Sequence, residues 1–213
     1  MGKIERKERE MASARRAILE AAASAFARRG YHGTKVEDIA SEAGYSASSF
    51  YTYFQGKAEL YQSLLLEVAS EFEAVKLEPP LLSLSFHDRL EWLIRRQFEI
   101  VEKNRDFFIV FASQRGGIEW VQDKGADELT RTNYINWINY MTEFFQQGID
   151  EGSVQPGNAR DFAYYAVGAI NATIFRWVAG DLPVPLKDHV STLLEFLGSG
   201  VCLEPDCAPE GDV

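Results

Sequence analysis

Hydroxyl groups and one ammonium crowd the stretch Ser46–Lys57, which reads SASSFYTYFQGK. Phe50 and Phe54 sit one helical turn apart and turn together toward a core. That leaves Ser48, Ser49, Tyr51, Thr52 and Tyr53 on or near the outer face of a short helix. Hydroxyls both donate and accept, so such a face can bond phosphate oxygens or base edges. Lys57 opens the following helix, where free backbone N–H groups and a cationic side chain together suit an anion. This is binding chemistry. Catalysis has little support, because His32, His87 and His189 are scattered. No metal-ligand spacing, nucleophile elbow or phosphate loop accompanies them.

The flanking residues supply the elements that must position this face. Ile18, Leu19, Ala22 and Phe26 recur at helical spacing, and Gly30 offers the left-handed residue that ends a helix. Thr34-Lys35-Val36-Glu37 reads as a capping box for a short helix that turns Val36, Ile39, Ala40 and Ala43 inward. Gly44-Tyr45-Ser46 makes a tight turn, with Ser46 placed to cap the second short helix, expected over Ala47–Phe54. Two short helices joined by a glycine-containing turn form the unit that lays its second helix in a DNA major groove.

The whole segment resembles the N-terminal domain of the TetR family of bacterial one-component transcriptional regulators. The matching residues are Phe26-Ala27-Arg28-Arg29-Gly30-Tyr31, Thr34, Ile39-Ala40 and Ala43-Gly44-Tyr45-Ser46, followed by Phe50-Tyr51-Thr52-Tyr53-Phe54 and Lys57-Ala58-Glu59-Leu60. They cover roughly a quarter of the chain, and the rest matches in helical character and length. The resemblance implies DNA contacts from Thr34, Lys35, Ser46, Ala47, Ser48, Ser49, Tyr51, Thr52, Tyr53 and Lys57. It departs from the family pattern at Ala47, where a polar or basic residue is frequent, and at Ser48, where glycine is frequent.

Composition fits a globular helical protein. The 213 residues are 46% hydrophobic and 25% charged, with a net charge of −10. Residues 1–62 hold ten Lys and Arg against eight Asp and Glu, a net +2. Residues 63–213 hold twelve against twenty-four, a net −12. A mildly basic head on an acidic body suits specific binding through a few phosphate contacts and opposes indiscriminate coating of DNA. The apolar runs are too short for a bilayer span, and the charged N-terminus is unlike a secretory signal. Cys202 and Cys207 suggest no disulfide framework. The expectation is a cytoplasmic protein without metal, cofactor or membrane partner.

Beyond the head the chain reads as successive helices, giving an all-α fold. A three-helix head over 1–62 precedes a larger helical domain over 63–201 and a tail over 202–213. Helices are expected from Lys57 to about Val75, from a Ser85 cap to Asn104, and up to Gly116. Others run over Asp127–Ile149, from an Asn158 cap to Gly180, and over Leu186–Val201. The resemblance implies that the last two pair with their copies in a homodimer. The stripes Ala163, Val167, Ile170, Ile174, Trp177 and Val190, Leu194, Leu197 are candidates for that interface, with the chain's own core as the competing assignment. The resemblance also implies a small-molecule effector among the middle helices. Gln97, Phe108, Phe111, Trp120, Trp137, Tyr140, Asn171 and Phe175 are candidate lining residues for a hydrophobic or aromatic ligand, although a helical core accounts for most such aromatics. The alternative is a helical small-molecule or protein-binding module without specific DNA binding, which would have no need of the outward hydroxyl face.

The segment Ala47–Phe54 contains no Arg, Lys, Asn or Gln, the side chains that make bidentate base contacts. Operator choice should therefore lean on thymine-methyl contacts from Ala47 and Thr52, bridging waters and DNA shape. Ser48→Ala and Thr52→Ala should each relax sequence preference by less than about tenfold, near the low end of what one base contact carries. Competition binding between matched and single-base-altered duplexes measures this, and a much larger loss from either change would contradict it.

Overall fold

The structure, a computed structural model, describes residues 2–78, 84–115 and 128–200. Its helices are α1 (Lys3–Gly33), α2 (Val36–Glu42), α3 (Ala47–Phe50), α4 (Lys57–Leu77), α5 (Phe86–Lys103), α6 (Arg105–Arg115), α7 (Glu128–Asp150), α8 (Ala159–Ala179) and α9 (Val190–Gly200). A 3-10 turn, Leu186–His189, leads into α9. No strand occurs among the described residues, so the class is all-α as expected. Two compact packing units divide the chain. One contains α1, α2, α3, α4 up to Ser70, and α6; the other contains α4 from Glu71, α5, α7, α8 and α9. This partition follows packing, whereas the division at residue 62 followed the motif. The packing unit of the head extends further along α4 and takes in α6.

In the first unit, Ile18, Ala22, Ala25 and Phe26 of α1 form the buried face with Ile39, Ala40, Phe50 and Phe54. Gly30 breaks α1 at φ +73 and ψ 159, a conformation that L side chains rarely adopt. The helical turn that follows, Tyr31–Gly33, delivers the chain to α2. The capping box expected at Thr34 is not formed. Lys35 occupies the N-cap of α2 without a side-chain bond. The Thr34 hydroxyl instead donates to the carbonyls of Gly30 at 2.8 Å and Ala25 at 3.2 Å. The reason is burial: Thr34 is 1% exposed with its hydroxyl among carbonyls of α1, while the exposed start of α2 can turn to water. Ser46 does cap α3, accepting the Ser49 N–H at 3.1 Å. The α-helix there is shorter than expected, ending at Phe50. Turns continue it to Phe54 through Tyr53 N–H to the Phe50 carbonyl at 2.8 Å and Phe54 N–H to the same carbonyl at 3.1 Å.

In the second unit, Ser85 opens α5 by accepting the Asp88 N–H at 3.1 Å and donating to its carboxylate at 2.8 Å. Leu90, Leu93, Ile94, Phe98 and Val101 give α5 a continuous buried stripe. The face of α7 opposite solvent carries Trp137, Ile138, Met141, Phe144 and Phe145. Asn158 caps α8 through the N–H groups of Arg160 and Asp161, as its position predicts. Arg89 is buried and pairs with Glu151 through both guanidinium amino groups. No described helix is long and apolar enough to cross a membrane.

Gly148 is where α7 meets Phe86 and Val154. A Cβ there would stand 2.5 Å from the Phe86 ring and 2.7 Å from a Val154 methyl. Gly148→Ala should cost about 1–3 kcal/mol by overpacking, read by denaturant unfolding. A pH dependence follows from the joint between α1 and α2, where Glu42 accepts from Arg28 at 2.5 Å and Arg29 at 2.7 Å. The Arg28 bond, then that of Arg29, holds the Glu42 carboxyl below its usual value. Its stabilisation is therefore complete above the ordinary carboxylate range and disappears as pH falls through the lowered value. Thermal midpoints across acidic pH should fall less steeply for Glu42→Gln than for the native chain, and parallel curves would remove the assignment.

Candidate nucleic-acid interface

The surface built around α3 rests on three kinds of support. Phe50 and Phe54 anchor it from within, both buried, with ring centroids 6.0 Å apart. Ser46 organises its start, its hydroxyl lying 2.9 Å from those of both Ser48 and Ser49. At its far end Arg15 of α1 donates to the Tyr53 carbonyl and lays its guanidinium 4.1 Å from the centre of the Phe54 ring. Glu59 then ties the next element, accepting the Gln55 N–H at 2.7 Å. Composition and spacing do not single out Arg15, because its role depends on where α1 crosses the end of α3.

What faces outward is a mostly uncharged hydroxyl surface. Ser46, Ser48 and Thr52 are exposed, and Tyr51 is 57% exposed with its ring edge-on to Phe50. Ala47, Ser49 and Tyr53 are half-buried, Tyr53 meeting Tyr45 edge-on at 5.8 Å. Lys35 is exposed and makes no ion pair among the described residues. The arginines of the head are engaged differently. Arg6 pairs with Glu10, Arg16 with Glu20, and Arg28 and Arg29 with Glu42. Two residues expected at the interface point elsewhere. Thr34 is 1% exposed with its hydroxyl turned inward. Lys57 donates to the carbonyls of Tyr31 and Thr34, both at 2.8 Å, and sits 4.9 Å from the centre of the Tyr31 ring.

The other candidate residues are distributed as follows. Phe108 and Phe111 lie on α6 within the first unit, in a cluster with Phe107 and Tyr61. Gln97, Trp137, Tyr140, Asn171 and Phe175 lie in the second unit, and Trp120 is outside the described residues. Trp137 and Tyr140 stand 5.4 Å apart, and Phe72 of α4 meets Trp137 edge-on at 5.6 Å. Lys76 of α4 reaches both rings, 5.8 Å from Trp137 and 6.0 Å from Tyr140. On α7, the Thr130 hydroxyl and the Asn133 amide nitrogen are buried without a hydrogen-bond partner. Gln97 is buried and donates to the Leu93 carbonyl at 3.3 Å. Of the interface candidates, Ala163, Val167, Ile170, Ile174, Val190, Leu194 and Leu197 are buried within the chain itself, and Trp177 is half-buried. These stripes face the chain's own core because a helix on a compact body buries its most apolar side there first.

Lys35 stands exposed at the N-cap of α2. Lys35→Gln should weaken binding to all duplexes alike and lower the slope of log affinity against log salt by about 0.9, the value for one phosphate contact.

Residues 18–64 match the model of the tetR family of bacterial regulatory proteins. The chain is 25% identical over 187 residues to the fatty acid metabolism regulator protein of Bacillus subtilis, covering 86% of this chain and 93% of that one. It is 24% identical over 198 residues to the HTH-type transcriptional repressor KstR2 of Mycobacterium tuberculosis, covering 90% and 94%. Among solved structures, the transcriptional regulator FadR from Bacillus subtilis in complex with stearoyl-CoA shares the fold with a TM-score of 0.69. Its identity is 23%, and the match covers 86% of this chain and 97% of that one. A transcriptional regulator from Saccharomonospora viridis in complex with choline matches with a TM-score of 0.73 and 24% identity, covering 89% and 98%. These relatives are regulators, not enzymes. With a capped helix-turn-helix presenting an outward hydroxyl face, residues 18–64 form a DNA-binding domain of the tetR family of bacterial regulatory proteins, and the chain is similar over most of its length to transcriptional regulators.

Proposed function

We propose that the protein is a ligand-responsive repressor that binds a palindromic operator as a homodimer in the cytoplasm and is released by a small hydrophobic or aromatic effector. Residues 1–62 bind DNA, residues 63–201 bind effector and form the dimer, and residues 202–213 are a tail. The observation that carries this reading is the outward face of Ser48, Tyr51 and Thr52 beside the unpaired cation of Lys35. Such a face meets phosphates and groove edges and has no use in a purely ligand-binding bundle. A palindrome requires two heads about 34 Å apart, hence a two-fold dimer.

The helices that the family resemblance assigns to dimerisation expose a different set of residues from the buried stripes. Tyr165 on α8 is 66% exposed and Phe196 on α9 is 65% exposed. Ala172 and Gly168 add small residues to the outer side of α8, and a Cβ at Gly168 would meet nothing within 4 Å. Large exposed aromatics on adjoining helices mark an association surface. The effector site is assigned to the α4–α7 cluster of Phe72, Lys76, Trp137 and Tyr140. The unpartnered polar atoms of Thr130 and Asn133 are suited to orient a ligand. Burial pushes the Tyr140 phenol up, so its hydroxyl stays a neutral donor. Because relatives include a fatty acid metabolism regulator and a stearoyl-CoA complex, long-chain acyl thioesters are the first compounds to try. α4 is continuous from Lys57 to Leu77 and is the element through which effector binding shifts the head between two states.

Purified protein incubated with fragmented DNA from its source should retain one or a few short palindromes, with affinity falling as salt rises. Retention without sequence preference would leave the helical binding module. Tyr165→Arg combined with Phe196→Asp should give monomers by sedimentation and weaken the palindrome by about a hundredfold, because the second half-site is no longer bound in concert. An effector must lower operator affinity by its own preference for the DNA-free state, and equal affinity for free and operator-bound protein would reject it.

A further inference from the structure

We propose that Lys57 is a positioning residue for DNA binding and not a phosphate ligand. Its ammonium clamps the start of α4 onto the broken end of α1 and so holds the helix-turn-helix in place. The proposal rests on the DNA-binding reading of the head. It differs from what the position of Lys57 at a helix start suggests, which is an anion site.

The geometry is that of a satisfied cation. Two of the three ammonium protons go to the carbonyls of Tyr31 and Thr34, each at 2.8 Å. The Tyr31 ring lies 4.9 Å away, and the side chain is half-buried. Because α1 ends at Gly33, one turn past the Gly30 kink, the carbonyls of Tyr31 and Thr34 have no further turns of that helix to match them and need donors from elsewhere. Two side chains donate here. The Thr34 hydroxyl takes the carbonyls of Gly30 and Ala25, while Lys57 takes those of Tyr31 and Thr34. Thr34 thus stands at the centre of one network, donating with its side chain and accepting with its backbone. A cation at this end of α1 is also favoured by the partial negative charge of the helix C-terminus.

The network has leverage because α2 begins at Val36, directly after Thr34 and Lys35. A rotation of the Thr34 backbone turns α2, and α3 with it. Lys35, exposed beside this joint, is left to serve DNA. With two ammonium protons committed to these carbonyls, a phosphate could reach only the third without drawing Lys57 away from the end of α1.

Three variants separate the two roles. Lys57→Met keeps the stem and removes the charge. Lys57→Arg keeps the charge, but its planar fork does not reproduce a point donor between two converging carbonyls. Thr34→Val disturbs the same network at a side chain buried away from DNA. Affinity is read on the duplex recovered with native protein and on a short random-sequence duplex, over a range of salt, alongside thermal midpoints. The clamp predicts that all three variants lower affinity on both duplexes, by about tenfold for either Lys57 change, with an unchanged salt slope and lowered midpoints. It also predicts that Lys57→Met and Thr34→Val are less than additive when combined. A phosphate ligand predicts a salt slope lower by about 0.9 in Lys57→Met and full affinity in Lys57→Arg, and that pair of results would overturn the proposal. Unchanged affinity in both Lys57 variants would overturn it too. Should native protein bind no duplex, the DNA-binding reading fails separately, and unchanged midpoints in the two Lys57 variants would still reject the clamp.

Discussion

The second helix of the helix-turn-helix, α3, is an α-helix of 4 residues, far below the length at which a helix holds itself together in water. Its shape is therefore imposed from outside, and most of the first packing unit can be understood as the means of imposing it. Ser46 satisfies its first N–H groups, while Phe50 and Phe54 fasten it to the core. Arg15 closes over its far end, and Glu59 takes the stray N–H of Gln55 in the link to α4. The break in α1 at Gly30 belongs to the same scheme, since it turns the chain toward α2. Past that break α1 ends, and Thr34 and Lys57 donate to carbonyls near its end.

That scheme explains how a chain of net charge −10 can still present a DNA-binding head. Most arginines of the head are occupied with neighbouring carboxylates or carbonyls, so the outward face around α3 is one of hydroxyls and a tyrosine beside the exposed Lys35. A surface of this kind has a weak long-range attraction for any duplex. It gains from close fit instead, which favours recognition by shape and methyl contacts over simple charge neutralisation. The acidity of the remaining chain works in the same direction by suppressing unspecific association.

The second unit shows the opposite balance, with apolar side chains distributed between two uses. The strongest stripes of α8 and α9 close the chain's own core, where each buried methylene contributes most. The aromatic residues left over, Tyr165 and Phe196, remain on the outside. Around α7 the packing is less complete in its polar accounting, with the Thr130 hydroxyl and Asn133 amide buried and unmatched. Buried polar atoms without partners are uncommon and carry a free-energy cost, and a ligand that supplies the missing bonds removes it. Lys76, held near Trp137 and Tyr140, places a cation at the edge of that aromatic group.

Local signals made the class and most helix boundaries legible in the sequence. Ser46, Ser85 and Asn158 cap where their chemistry predicts, Gly180 ends α8, and Phe50 and Phe54 point inward as their spacing requires. Each of these depends on residues within a turn of one another, so one-dimensional spacing is sufficient. Where several long-range partners compete for one group, spacing is silent. Thr34 has the right neighbours for a capping box, yet buried carbonyls on α1 outbid an exposed helix start. Lys57 has the right position for a phosphate, yet the same broken helix end lies within its reach. The stripes of α8 and α9 fit either an interface or a core, and only the packing of α5, α7 and the 3-10 turn against them decided for the core. Periodicity determines which face of a helix is apolar; what covers that face is a matter of free energy among competing surfaces, which exists only once the chain is folded.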